Sequence, residues 1–212
     1  MIYKLRLSVL IFAIIAFMES CSPGAQEINN FFQYTNAIKH EMQSNKSEEK
    51  KQKLLTKVRK RLLTFIDTEY VAKKSLGKYF NTLSDNDKNE FILIFHEIMA
   101  HNLVKTYIPI NNVVDQDVNV EFINEEFKKD EMFNENANII HMRVIDESII
   151  YYVDFYLHSV EGKFKLYDVH IDGASVLMDY QNQFYGIIST KGFPYLLKRL
   201  KEKYEKLEAA SS

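Results

Sequence analysis

Two groups of residues have the types and spacing that chemistry would need. His96-Glu97-Ile98-Met99-Ala100-His101 places two imidazoles around a glutamate, a donor set that suggests a helix-borne zinc site. Zinc on a helix wants its two histidines at i and i+4, on one face. Here they are five apart, which swings the second about 140° away from the first. No further ligand cluster is evident in the sequence, so no metal site is assigned. Asp168 and Asp172 could serve as paired carboxylates for acid–base work, because on a continuing strand they would share a face. The turn at Asp172-Gly173 disturbs that pairing, and nothing beside them supplies a nucleophile or an oxyanion hole. They read as turn and loop caps, with a hydrolase built on the pair kept as a rival. The chain has no GxSxG, P-loop or GxGxxG motif, and His40, His141, His158 and His170 have no partners that sequence can name. No catalytic residue and no cofactor is assigned.

A third group is covalent. Residues 1–20 read as a signal peptide, with Lys4 and Arg6 ahead of an apolar run from Leu7 to Phe17. That run, polar only at Ser8, is short for a bilayer span. It ends at Met18-Glu19-Ser20-Cys21, which resembles a bacterial lipobox, although Leu is usual where Met18 stands and a small residue where Glu19 stands. Cys21 is the only cysteine, so no intramolecular disulfide can form, and a lone cysteine in an exported protein needs a reason. Lipidation of Cys21 is that reason, and residues 21–30 then form a short tether to the membrane surface.

The bulk composition narrows the class. The chain has 212 residues and 46% apolar content, enough for one sizeable core. Its formal charge is −2, and loss of Lys4, Arg6 and Glu19 with the leader leaves 25 basic and 28 acidic residues. Nothing in that balance suggests nucleic acid. There are 13 Tyr and 15 Phe but no Trp. Such aromatics suit a large core or an apolar pocket equally well.

The elements that would position these residues follow in order. Helical apolar spacing covers residues 26–44, 48–66, a segment from Asp67 and a segment from Ser84 that Pro109 ends. The second of these carries a basic face, Lys50, Lys51, Lys53, Lys57, Arg59, Lys60 and Arg61, which reads as solvated. From Asp117 the period becomes two. Strands are expected at 118–122, 138–145, 149–158 and 163–171, with the polar stretch 125–136 as a long hairpin loop and Glu161-Gly162 as a turn. The last of these strands ends at Asp172-Gly173, where glycine admits φ > 0, and Ser175 caps the helix that follows. A final helix starts near Pro194. Helices followed by strands indicate an α+β fold with an antiparallel sheet of about four strands.

The stretch from Lys163 to Phe184 also carries a resemblance. Lys165-Leu166-Tyr167-Asp168-Val169, then Asp172-Gly173-Ala174-Ser175, then Tyr180 and Gln183-Phe184 resemble the signature of the MlaC / toluene-tolerance family. Phe65, Asp67, Leu76-Gly77-Lys78-Tyr79-Phe80, Phe91, Phe95 and Tyr107 add a second block with the same spacing, with Phe80 and Phe164 where the family often has Trp. The resemblance covers about Phe31 to Leu200. It implies a single domain over residues 31–205, ahead of a tail at 206–212, with a helical layer on a curved sheet and a lipid-sized apolar cavity between them.

It further implies a periplasmic phospholipid carrier that serves a membrane-bound ABC transporter, with an outer-membrane complex as a further partner. The cargo is lipid; there is no catalysis, no cofactor and no nucleic acid. Strand and helix parity give the lining candidates Phe95, Met99, Leu103, Tyr107, Tyr151, Val153, Phe155, Leu157, Val169, Ile171, Val176 and Tyr180. A tether as short as residues 22–25 would place a lipidated carrier beside a membrane complex. The rival of another class is an envelope adaptor that binds a protein and carries no lipid.

Overall fold

The computed structural model describes residues 22–44, 47–107, 119–146 and 149–209. The leader and Cys21 lie outside those residues. Six α-helices are described: α1 (Pro23–Ser44), α2 (Glu48–Phe65), α3 (Thr68–Leu76), α4 (Asp85–Tyr107), α5 (Val176–Lys191) and α6 (Phe193–Ala209). A 3₁₀ segment, Gly77–Thr82, follows α3. The strands are β1 (Asn119–Asp130), β2 (Glu135–Asp146), β3 (Ile149–Val160), β4 (Lys163–Ile171) and the short β5 (Ala174–Ser175). They form one open antiparallel meander in chain order. The fold is α+β, as the run of helices before strands requires.

Three boundaries differ from the sequence reading. The stretch 21–30, expected as a tether, is helical from Pro23. Proline fits the first turn, where its missing N–H costs nothing, and Gly24, Ala25 and Ile28 are buried. The stretch 125–136, expected as a loop, is strand over 125–130 and 135–136, joined by a turn at 131–134. Lys128 and Lys129 of this stretch face solvent on an edge strand, while Asp130 at the strand's end is buried and accepts from Tyr167 Oη. Finally, the helix from Asp67 stops at Leu76 and tightens into the 3₁₀ segment, because Gly77 leaves the helical region with φ 48°.

Local caps explain the starts. Ser47 accepts from Lys50 N at the head of α2, and Asp67 from Tyr70 N at the head of α3. At the head of α4, Ser84 Oγ accepts from Asp87 N at 3.2 Å and donates to the Asp87 carboxylate at 2.7 Å. The basic face of α2 is partly neutralised by ion pairs, Lys51 with Glu48, Lys53 with Glu49, Arg59 with Glu97 and Arg61 with Glu27.

Strand register sorts the two sheet faces. Ile140 lies opposite Phe155, which lies opposite Val169. This row, with Met142, Val153 and Ile171 beside it, is the apolar face. The alternate row, His141, Asp154 and His170, is polar. On the apolar face α1 rests its first turn against Asn138, so closely that a Cβ on Gly24 would collide with the amide. After α2, Ile66 bridges to Leu166 at the edge of β4. From there α3 continues beside β4, with Tyr70 set edge-on to His158 and to Tyr167. Behind this layer, α4 packs on α2 and α3, and α6 packs on α4 and α5.

Candidate functional site

An apolar cavity of about 100 Å³ opens between the helices and the sheet. α1 contributes Phe31, and α2 contributes Leu62, Phe65 and the residue after it, Ile66. Val71 of α3 and Met99 of α4 close the helical side. Phe155 of β3 and the Leu166–Val169 run of β4 form the sheet wall, and Val176, Leu177 and Tyr180 of α5 complete it. Phe31 and Phe65 stack with centroids 4.9 Å apart. Val176 is both lining and 37% exposed, so it stands at the mouth.

Of the residues expected at the cavity, Met99, Phe155, Val169, Val176 and Tyr180 come together around it. Phe95 is buried just behind the wall, edge-on to Tyr180 with centroids 5.1 Å apart, in an aromatic cluster with Phe91 and Phe184. Val153 and Leu157 are buried without lining the cavity, and Tyr151 and Ile171 are half-buried near the end of the sheet. Leu103 and Tyr107 lie on the last turns of α4, where side chains are outside the described residues.

The sequence reading missed Phe31, Leu62, Phe65, Ile66 and Val71 from the first three helices, and Leu166, Tyr167 and Leu177. The available signal was the apolar stripe of each helix. A stripe that packs and a stripe that lines a cavity are made of the same residues.

The polar groups near the cavity are satisfied by local structure. Asp168 is fully buried. It accepts from Val169 N at 2.8 Å, Leu177 N at 2.9 Å and Ser175 Oγ at 2.5 Å, and His170 Nε2 lies 3.1 Å away. Those bonds hold the start of α5 onto β4. Asp172 is exposed; it accepts from Tyr152 N at 2.9 Å while its own N–H donates to Tyr152 O at 2.8 Å. One carboxylate is therefore a buried helix clamp and the other a surface turn clamp, an arrangement unlike a catalytic pair. Burial raises the Tyr180 phenol, against a smaller lowering by its hydrogen bond to Asn102, so this wall group stays an uncharged hydroxyl at neutral pH.

The first histidine of the zinc-like motif serves the helical layer. His96 Nδ1 lies 2.9 Å from Thr68 Oγ1, and burial, with Arg59 nearby, holds its pKa down. Among the described residues no group of three or more His, Cys, Asp or Glu side chains could hold a metal ion. Nor is any described helix long and apolar enough to cross a membrane.

These features define a class: an α+β domain whose helices and open curved sheet enclose an apolar cleft with a surface mouth. Comparison with known proteins narrows it. The MlaC protein family model matches residues 33–202, and the chain belongs to that family. It is 25% identical over 164 residues to the intermembrane phospholipid transport system binding protein MlaC of Haemophilus influenzae, covering 76% of this chain and 74% of that protein. Its fold matches a phospholipid-binding protein of Ralstonia solanacearum, solved in complex with a phospholipid, with a TM-score of 0.66 at 15% identity. The match covers 88% of this chain and 99% of that one.

Proposed function

We propose that this protein binds a phospholipid in the cleft and carries it between membranes of the bacterial envelope, in concert with a membrane-bound ABC transporter. The observation that carries the reading is the wall itself. Five helices, the residue linking two of them and two sheet strands converge apolar side chains on one cavity, and a member of the same family is named for intermembrane phospholipid transport. Each methylene buried there gains about 0.8 kcal/mol over water, so two acyl chains resist release into water. Against a bilayer the same transfer is nearly balanced, and unloading belongs at a membrane or a membrane complex. A cavity of about 100 Å³ is smaller than a two-chain lipid, so loading requires its walls to part.

Export and lipidation at Cys21 are part of this proposal. With α1 starting at Pro23, a single residue separates Cys21 from the folded domain. An anchored carrier of that kind works close to one membrane and hands lipid to a complex beside it.

The test is native mass spectrometry with solvent extraction on the full chain carrying Cys21→Ser, purified after export. Phospholipid bound near one molecule per chain is the expected result. Val176→Arg at the mouth lowers that occupancy while the circular dichroism spectrum is unchanged. Recovery of no lipid from several expression conditions would overturn the carrier reading in favour of an adaptor.

A further inference from the structure

Phe127 is the most exposed large apolar side chain among the described residues, at 66%. It lies on β1, an edge strand, where a ring in water has no obvious structural use. Its surroundings give it one. Phe127 stands opposite Asn138 of β2, and opposed residues point to the same face with Cβ atoms about 5 Å apart. Asn138 is the residue on which Gly24 of α1 rests. The Phe127 ring also meets Phe164 of β4, with centroids 6.4 Å apart. Two aromatic rings therefore sit beside the point where the chain enters the domain, next to the segment that continues back to Cys21.

Lysines bracket the rings. Lys128, Lys129 and Lys163 are all exposed. Lys128 pairs with Glu126, while Lys129 and Lys163 have no ion pair among the described residues. Glu131 and Glu161 are exposed in the adjoining turns, so the face is close to neutral overall. An exposed ring backed by a half-buried one, with lysines around them, suits the boundary between headgroups and acyl chains, where rings enter and ammonium groups reach back to phosphate.

We propose that this end of the domain is its membrane-docking face, with Phe127 and Phe164 entering the headgroup region and Lys129, two residues from Phe127 on the same sheet face, meeting a lipid phosphate. The choice of a bilayer as occupant rests on the carrier reading and on the place where the chain enters. An anchor at Cys21 would bring this end, and no other, to the membrane first. Docking here presents the domain with its entry end against the bilayer.

The chain contains no tryptophan, so Phe127→Trp creates a single-tryptophan probe at the proposed contact. The full chain with Cys21→Ser and Phe127→Trp is mixed with vesicles of phosphatidylglycerol and phosphatidylcholine. The emission is expected to shift to the blue and to be quenched by brominated acyl chains. Leu93→Trp, at a site 63% exposed on α4, stays unshifted. Phe127→Asp weakens vesicle co-sedimentation roughly tenfold, the share expected from losing most of one buried ring.

Unshifted emission from the Phe127→Trp variant with vesicles overturns the docking face. So does a shift that follows protein concentration without vesicles, which would assign the β1 edge to a second copy of the chain. Lipid extracted from the same preparations reports on the carrier reading separately. Loaded protein whose Phe127→Trp emission stays unshifted removes the docking face alone, and empty protein with a vesicle-dependent shift removes the carrier reading alone.

Discussion

Phe31 of α1 and Phe65 of α2 stack with their planes 12° from parallel and centroids 4.9 Å apart, and both rings line the cavity. The pair ties the first helix to the rest of the wall. Replacing Phe31, only 8% exposed, with alanine removes one ring and leaves the other facing an enlarged void. Such truncations cost about 3–5 kcal/mol. The cavity grows while its α1 wall loosens. Urea denaturation should show a lower midpoint, and a fluorescent phospholipid should leave the variant for acceptor vesicles faster than it leaves the parent. Unchanged release with lowered stability would mean that α1 does not help to retain the lipid.

Asp168 is a structural acid, and its removal tests that against the hydrolase alternative. Alanine there leaves Leu177 N and Ser175 Oγ without their acceptor, in a buried site. Each unsatisfied buried donor costs about 1–3 kcal/mol, so Asp168→Ala should lose roughly 3 kcal/mol and fray the start of α5. Hydrogen exchange at Leu177 and Met178 should rise well above that of the rest of α5. Asp172→Ala, on the exposed turn, should lose about 1 kcal/mol or less. Any ester or phosphodiester hydrolysis that disappears in both variants while each stays folded would restore the catalytic reading.

The contrast between these two aspartates shows how far sequence reading reaches. The β4–turn–α5 corner was legible because each signal is local. Asp172 and Gly173 take φ of 48° and 82°, and Ser175 caps Met178 N. Cavity membership was not legible. Val153 and Val169 are the same residue type on the same sheet face, yet only Val169 lines the void. What separates them is packing: Val153 is 1% exposed and closed in by its neighbours, while Val169 is half-buried beside the void, a tertiary fact that parity does not encode. The start of α1 failed for a related reason. Ser22-Pro23-Gly24-Ala25 has the composition of a loop, yet Ser22 Oγ caps Ala25 N at 3.2 Å, and Gly24 fits closely onto Asn138, so it is a helix end. The β1–β2 hairpin looked like a loop because both an edge strand and a loop are polar. One contact that holds its end, Tyr167 Oη donating to Asp130 at 2.8 Å, comes from a strand three places away in the sheet.

Asp67 links α3 to the sheet and sets an acid limit on stability. Its carboxylate caps Tyr70 N at 3.0 Å and lies 3.0 Å from His158 Nε2. Burial by itself raises its pKa, but the bonds from His158 and Tyr70 N outweigh that, and the net value falls below 3.8. A carboxylate with a lowered folded-state pKa contributes stability that is complete above the unfolded value. That contribution is lost as the pH falls through the folded value. The parent should therefore lose urea resistance below about pH 4, and Asp67→Asn should lose less across the same window while being less stable at pH 7. Equal acid slopes for the two proteins would show that the link carries no pH-dependent stability.

Gly77 offers the sharpest test of the junction between α3 and α5. Its φ of 48° and ψ of −121° belong to a region that side chains rarely enter. A Cβ there would also collide with Tyr185 Oη, which accepts from Lys78 N at 2.9 Å. Next to it, Gln181 Nε2 donates to Lys74 O at 2.7 Å, so the end of α3 is held by two side chains of α5. Two separable costs follow from Gly77→Ala. Backbone strain contributes about 1–3 kcal/mol, and displacement of Tyr185 forfeits about 1 kcal/mol of hydrogen bonding. Tyr185→Phe alone should cost only the second, and it removes the oxygen that the new Cβ would strike. The double variant should therefore be destabilised by less than the sum of the singles, by roughly the 1 kcal/mol of hydrogen bonding that each single forfeits. Strict additivity in urea denaturation would mean that the backbone conformation alone demands glycine, and that α5 can yield to a side chain at the end of α3.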